Sequence, residues 1–98
     1  MRVIAKKTIV SFYTEHPDAK IALEDWYEKT AKAKWDNYAS LKNSFGSADL
    51  VGNKRVVFNI KGNQYRLVGL VLFRNKMVYV RFVGTHEAYN RIKDIENI

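Results

Sequence analysis

The C-terminal half of this chain constrains its fold most, because two β-prone runs there alternate apolar and polar side chains around short turn signals. Val56-Val57-Phe58-Asn59-Ile60 leads through Lys61-Gly62-Asn63-Gln64 into Tyr65-Arg66-Leu67-Val68, and Asn75-Lys76 precedes Val78-Tyr79-Val80-Arg81-Phe82-Val83. Side chains in a strand point to opposite faces in turn, so a slip of one residue would carry a whole apolar set to the wrong side. Hydrophobicity therefore predicts register.

A first hairpin closed at Gly62-Asn63 puts Asn59 opposite Arg66 and Phe58 opposite Leu67. A second closed at Asn75-Lys76 puts Val71 opposite Val80 and Leu70 opposite Arg81. One face then carries Val56, Phe58, Ile60, Tyr65, Leu67, Val71, Phe73, Val78, Val80 and Phe82, and is expected to be the core. The other carries Asn59, Lys61, Arg66, Tyr79 and Arg81 over an apolar floor of Val57, Val68 and Leu70. An odd-numbered second turn would bury Arg81 unpaired beside Gly69, at a cost of several kcal/mol, so the even register is preferred.

The N-terminal half supplies what covers that core. Arg2 to Ala5 is β-prone, and Ile9, Val10, Phe12 and Tyr13 mark one face of a helix over Lys6 to His16. Pro17 ends it, and Asp18 is positioned to cap the next. Leu23, Trp26, Tyr27 and Thr30 fall at i, i+3, i+4 and i+7, the stripe of a helix lying flat on a sheet. Trp26 and Trp35 read as core. Ser40 to Phe45 has room for another helical turn or two, while Gly46, Ser47 and Gly52-Asn53 signal loop. The expected fold is α+β: a small antiparallel or mixed sheet, two N-terminal helices packed on one face, and a short C-terminal helix.

Ninety-eight residues with 47% apolar content suit one domain spanning 1–98. With no Cys and only two His, neither disulfides nor a zinc site is expected to hold it together. The start is too charged for a signal peptide, and no apolar run approaches a membrane span, so a cytoplasmic protein without a membrane partner is expected. Seventeen Lys and Arg against ten Asp and Glu give a formal charge of +7. That excess favours a polyanion, nucleic acid first; the bland reading is a solubilising surface.

Gly84-Thr85-His86-Glu87-Ala88-Tyr89 carries the chemistry. Thr85 can cap a helix opening at His86, and the i, i+3 spacing puts His86 and Tyr89 on one helical face. The free N–H groups of a helix start suit phosphate. Taken singly, such a His is more often a capping or surface residue, and such a Tyr a packing residue. Arg66 and Arg81 as isolated arginines would pair with Glu87 or Asp94.

Taken together, Phe58-Asn59-Ile60-Lys61-Gly62-Asn63-Gln64-Tyr65-Arg66-Leu67 and Thr85-His86-Glu87-Ala88-Tyr89, with Trp26 and Trp35, resemble the HigB toxins of bacterial type II toxin–antitoxin systems, in the RelE/ParE-like group. The resemblance covers nearly the whole chain. It implies a ribosome-dependent mRNA endonuclease, an mRNA interferase, that cleaves messages in the ribosomal A site and is silenced by a HigA-type antitoxin. Asn90 departs from the family, which often places Asp after the Tyr.

RNA brings its own nucleophile, so such an enzyme has only to deprotonate a 2′-OH, align it, stabilise the added negative charge and protonate the leaving 5′-oxygen. No cofactor or metal is required. Arg66 and Arg81 are the expected phosphate ligands, His86 the acid or base, and Tyr89 an orienting or proton-transferring group. Lys61, Asn63, Asn59 and Tyr79 are expected to contact RNA, and Lys29, Lys32 and Lys34 could touch ribosomal RNA phosphates. Two other classes remain open at this point: a non-enzymatic ParE-like poison of a protein partner such as gyrase, and a basic ribosome-binding module without catalysis.

Overall fold

The helical stripe and the strand alternation meet in one core. In the computed structural model, which describes Met1–Ile98, Leu23, Trp26 and Thr30 are all buried. They project from α2 (Lys20–Lys32), which with α1 (Lys6–Glu15) lies on one face of a five-stranded sheet. The strands are β1 (Arg2–Ile4), β2 (Asp49–Gly52), β3 (Arg55–Ile60), β4 (Tyr65–Leu72) and β5 (Met77–Thr85), arranged β1-β5-β4-β3-β2. Only the β1–β5 pair is parallel, so the sheet is mixed. α3 (Tyr38–Ser44) precedes β2, and α4 (His86–Asn90) follows β5. The fold is α+β, as expected.

Aromatic edges lock helices to sheet. Trp26 meets Phe58 at 5.3 Å between ring centroids, Phe58 meets Phe45 at 5.3 Å, and Phe45 meets Trp35 at 5.9 Å, all near perpendicular. Such T-shaped contacts add to the large apolar area these rings remove from water. α3 has its own start signal, since Asn37 Oδ1 accepts from the Ser40 N–H at 2.9 Å while Ser40 Oγ accepts from the Asn37 N–H at 3.2 Å.

The first hairpin has the expected register, with Asn59 opposite Arg66 and Phe58 opposite Leu67. The second differs in two ways. Its last pair is Leu72 with Met77, so Val71 faces Val78 and Leu70 faces Tyr79. A two-residue turn at Asn75-Lys76 would need positive φ at both positions in its favoured form, and only Lys76 takes it, at 57°. The chain uses a longer turn instead. The slip is two residues, an even number, so faces are kept up to Val80.

Beyond Val80 a β-bulge intervenes: Gly69 pairs with Val80 but Val68 with Phe82, leaving Arg81 without a partner across the ladder. One extra residue reverses the alternation. Phe82, expected in the core, lands on the open face, and Val83 packs against the core in its place. Gly69 suits the spot, because a Cβ there would lie 2.9 Å from Val78 Cγ1.

Two further corrections concern the edges. β2, in a stretch where the sequence marked loop at Gly52-Asn53 and no strand, pairs with β3 through Asp49–Val57 and Leu50–Val56; it is an edge strand of four residues, too short to show alternation. Asp18 does not cap α2. Pro17–Ala19 forms a 3-10 turn that delays the helix to Lys20, and the Asp18 carboxylate turns to the sheet, accepting from Tyr65 Oη at 2.7 Å and Lys61 Nζ at 3.1 Å. The Tyr65 bond, then the Lys61 bond, hold its carboxyl below the usual carboxylate range, and the same Asp18 bond pushes the Tyr65 phenol up.

Candidate active site

The register of β3, β4 and β5 determines which side chains meet at the open end of the sheet. Arg66 stands between Asn59 on β3 and Gly84 on β5, and the next pair, Tyr65 with Thr85, brings the start of α4 beside the β3–β4 turn. The His86 N–H donates to Gln64 O at 3.1 Å, fastening the helix to that turn. Thr85 Oγ1 accepts from the Ala88 N–H at 3.0 Å, the cap its sequence position suggested. These bonds use N–H groups at the helix start that the sequence left free for phosphate, so recognition of an anion there falls to side chains.

Arg66 Nη2 donates to Asn63 Oδ1 at 2.7 Å and lies 3.3 Å from His86 Nε2. A guanidinium has no acceptor, so a hydrogen bond in this contact requires Nε2 to be the acceptor. The Arg66 guanidinium carbon lies 5.0 Å from the centroid of the Tyr89 ring, a cation–π contact that keeps the group over His86. No carboxylate forms an ion pair with Arg66, and its Nε is buried without an acceptor. A buried guanidinium donor with no acceptor is costly in the free chain and ready for an anion.

Arg66, Asn63, His86 and Tyr89 thus form one cluster. Arg81 does not join it. The bulge leaves its exposed side chain further down the open face, where Nε donates to Ile98 O at 3.1 Å. Neither arginine pairs with Glu87 or Asp94. Asn59 is directly across from Arg66 yet receives none of its hydrogen bonds. Lys61 is exposed in the turn with its amine committed to Asp18. Tyr79 lies five residues before Gly84 on β5, about 16 Å away at the usual strand rise, with its hydroxyl directed to Met77 Sδ.

Residues 19–92 match the HigB toxin family, described as the RelE-like toxic component of a toxin-antitoxin system. This chain belongs to the HigB toxin family. The mRNA interferase toxin HigB of Escherichia coli strain K12 is 33% identical over 92 residues, which cover 92% of this chain and 88% of that protein. The mRNA interferase HigB of Shigella flexneri has the same identity and coverage. A second E. coli mRNA interferase HigB, from strain CFT073, is 22% identical over 94 residues.

In this HigB-family chain, sequence reasoning missed the support beneath the cluster. Phe82 lies 6.5 Å from Tyr89 between ring centroids, and its ring covers Gly84 so closely that a Cβ there would sit 2.4 Å from Phe82 Cζ. Gly84 is therefore the space in which Phe82 lies, and Phe82 backs the ring that carries Arg66. Only the glycine before Thr85-His86 signals this in the sequence. Asn90 is exposed at the end of α4. No helix is long and apolar enough to cross a membrane.

Proposed function

We propose that this toxin is an endoribonuclease that cuts mRNA on the ribosome, and that a HigA-type antitoxin silences it. The observation that carries this reading is the Arg66 guanidinium held 3.3 Å from His86 Nε2 with no carboxylate to neutralise it. The mRNA interferase names of its relatives and the formal charge of +7 support it.

When a phosphodiester approaches, Arg66 exchanges its weak contact with His86 for charge-assisted bonds to the phosphate oxygens. Nε2 is then free to take the proton from the adjacent 2′-OH. The 2′-oxygen attacks phosphorus, Arg66 stabilises the added charge, and the 5′-oxygen departs with a proton, for which the Tyr89 hydroxyl is the donor this cluster offers. The products are a 2′,3′-cyclic phosphate and a 5′-hydroxyl. Asn63 holds Arg66 in plane, while Asn59 and Lys61 flank the path of the RNA. The nucleophile belongs to the RNA, so the ribosome's contribution is to present a strained, accessible linkage in the A site.

Expression in growing cells tests the reading. Wild type should arrest growth with messages cut inside translated regions, whereas folded His86→Ala and Arg66→Ala should lose about 10²-fold or more in cleavage and leave growth intact. Arrest with intact mRNA, or with a DNA-damage response that persists in His86→Ala, would rule out this function.

A further inference from the structure

We infer that Arg55 and Arg81 form a second anion subsite, for an RNA phosphodiester neighbouring the one at Arg66, and that the C-terminal segment occupies it while RNA is absent. The inference rests on the nuclease reading, and it concerns residues outside the Arg66 cluster.

Alternation puts Arg55 on the open face with Val57 and Asn59, since Val56, Phe58 and Ile60 face the core. Arg55 pairs with Leu70 on β4, and Arg81 bulges out opposite Val68 and Gly69. Measured along β4 from Arg66, these levels are about 13 Å and about 8 Å away at the usual rise. Three guanidinium groups therefore run diagonally across one face, within reach of neighbouring linkages of one RNA strand.

Both lower arginines converge on a single oxygen. Arg55 Nη2 donates to Ile98 O at 2.7 Å and Arg81 Nε to the same atom at 3.1 Å. Arg55 Nη1 binds Asn53 O at 3.0 Å, and Arg55 Nε is buried with no acceptor at all. Asn53 Nδ2 in turn holds Glu96 O at 3.0 Å, so the turn before β3 pins the same segment. Asp94 and Glu96 belong to that segment, yet neither pairs with an arginine; Asp94 accepts from Asn97 instead.

Two guanidinium groups converge on this one main-chain oxygen, and Arg55 Nε beside them still lacks an acceptor. A phosphodiester offers a full negative charge and several acceptor lone pairs in the same place, including one for Arg55 Nε. It should displace the Ile98 oxygen, and the segment should swing off as RNA is laid down.

The test uses the full chain. Wild type is first added to a translating extract: uncut mRNA would defeat the nuclease reading itself, independently of the subsite. In a His86→Ala background, binding of a fluorescent single-stranded RNA is then measured by anisotropy over a range of salt. Arg55→Gln and Arg81→Gln should each reduce the slope of log K against log salt by about 0.7, the value for one lost phosphate contact on a single strand, and Arg55→Lys should retain it. Asn53→Gly keeps the positive φ of 47° at that turn but loses the amide that pins Glu96 O, so it should bind RNA more tightly than its parent. Cut mRNA together with unchanged slopes in both arginine variants, or unchanged affinity in Asn53→Gly, would overturn the subsite and leave the nuclease reading standing.

Discussion

Leu67 and Arg66 are adjacent on β4 and point to opposite faces, so truncating each in turn separates fold from chemistry. Leu67 has no exposed surface and sits in the core between Phe58 on β3 and Val83 on β5. Removing its side chain beyond Cβ from so closed a site costs about 2–5 kcal/mol in lost transfer energy and residual cavity. For a chain of 98 residues, whose total stability is on the order of 5–15 kcal/mol, that is a large share. At about 4–8 °C per kcal/mol it lowers the melting temperature by roughly 8–40 °C. Arg66→Ala removes a hydrogen bond to exposed Asn63, a long contact with His86, the stacking on Tyr89 and a donor that already lacks an acceptor, so its cost should stay below about 1 kcal/mol. Circular dichroism melts of both variants, followed by urea unfolding where the transition is two-state, measure the difference. Arg66→Ala should melt near wild type and fail to cut RNA. Equal melting temperatures for the two would refute the assignment of faces, and with it the placement of the site.

Other expectations follow from the same contacts. Gly84→Ala forces the Phe82 ring to move, so it should fold with a modest drop in melting temperature but lose most of its cleavage; wild-type rates would show that Phe82 does not support Tyr89. Tyr89→Phe keeps the ring under Arg66 and Tyr89→Ala does not, so RNA affinity should survive the first and fall in the second, while loss of cleavage in Tyr89→Phe would mark the hydroxyl as proton donor. Asp18 has its carboxyl held down in the fold, mainly by Tyr65 and then by Lys61, so the stability it adds is present above the ordinary carboxylate range and disappears as pH falls through its lowered value. The gap in melting temperature between wild type and Asp18→Asn should therefore close on acidification, and a gap that widened would reverse the sign of this argument. At the alkaline end the same bond holds the Tyr65 phenol up, so its contribution persists below the ordinary phenol range and is lost as pH rises past the raised value.

The candidate site was legible in the sequence to the extent that it depends on short-range repetition. A period of two placed Arg66 opposite Asn59 and apart from Leu67, and a spacing of three put His86 and Tyr89 on one turn of α4. Helical spacing likewise marked Leu23, Trp26 and Thr30 as the buried stripe of α2. β2 was missed because four edge residues including Asp49 and Gly52 carry no alternation.

By itself, then, the chain's order of residues determined which side chains face the core, which face outward, and which of the outward set lie within one strand or one helical turn of each other. Those relations are local, and backbone geometry enforces them wherever the element forms. What only the tertiary structure decided is where alternation breaks and what crosses the open face. The bulge that carries Phe82 under Tyr89 and leads Arg81 away from Arg66 depends on how closely β4 and β5 pack at Gly69 and Val78. The bond from Arg55 to Ile98 joins positions 43 residues apart, and Asp18 reaches Tyr65 across 47. No periodic pattern spans such separations, because they are set by packing the whole sheet against its helices and its tail.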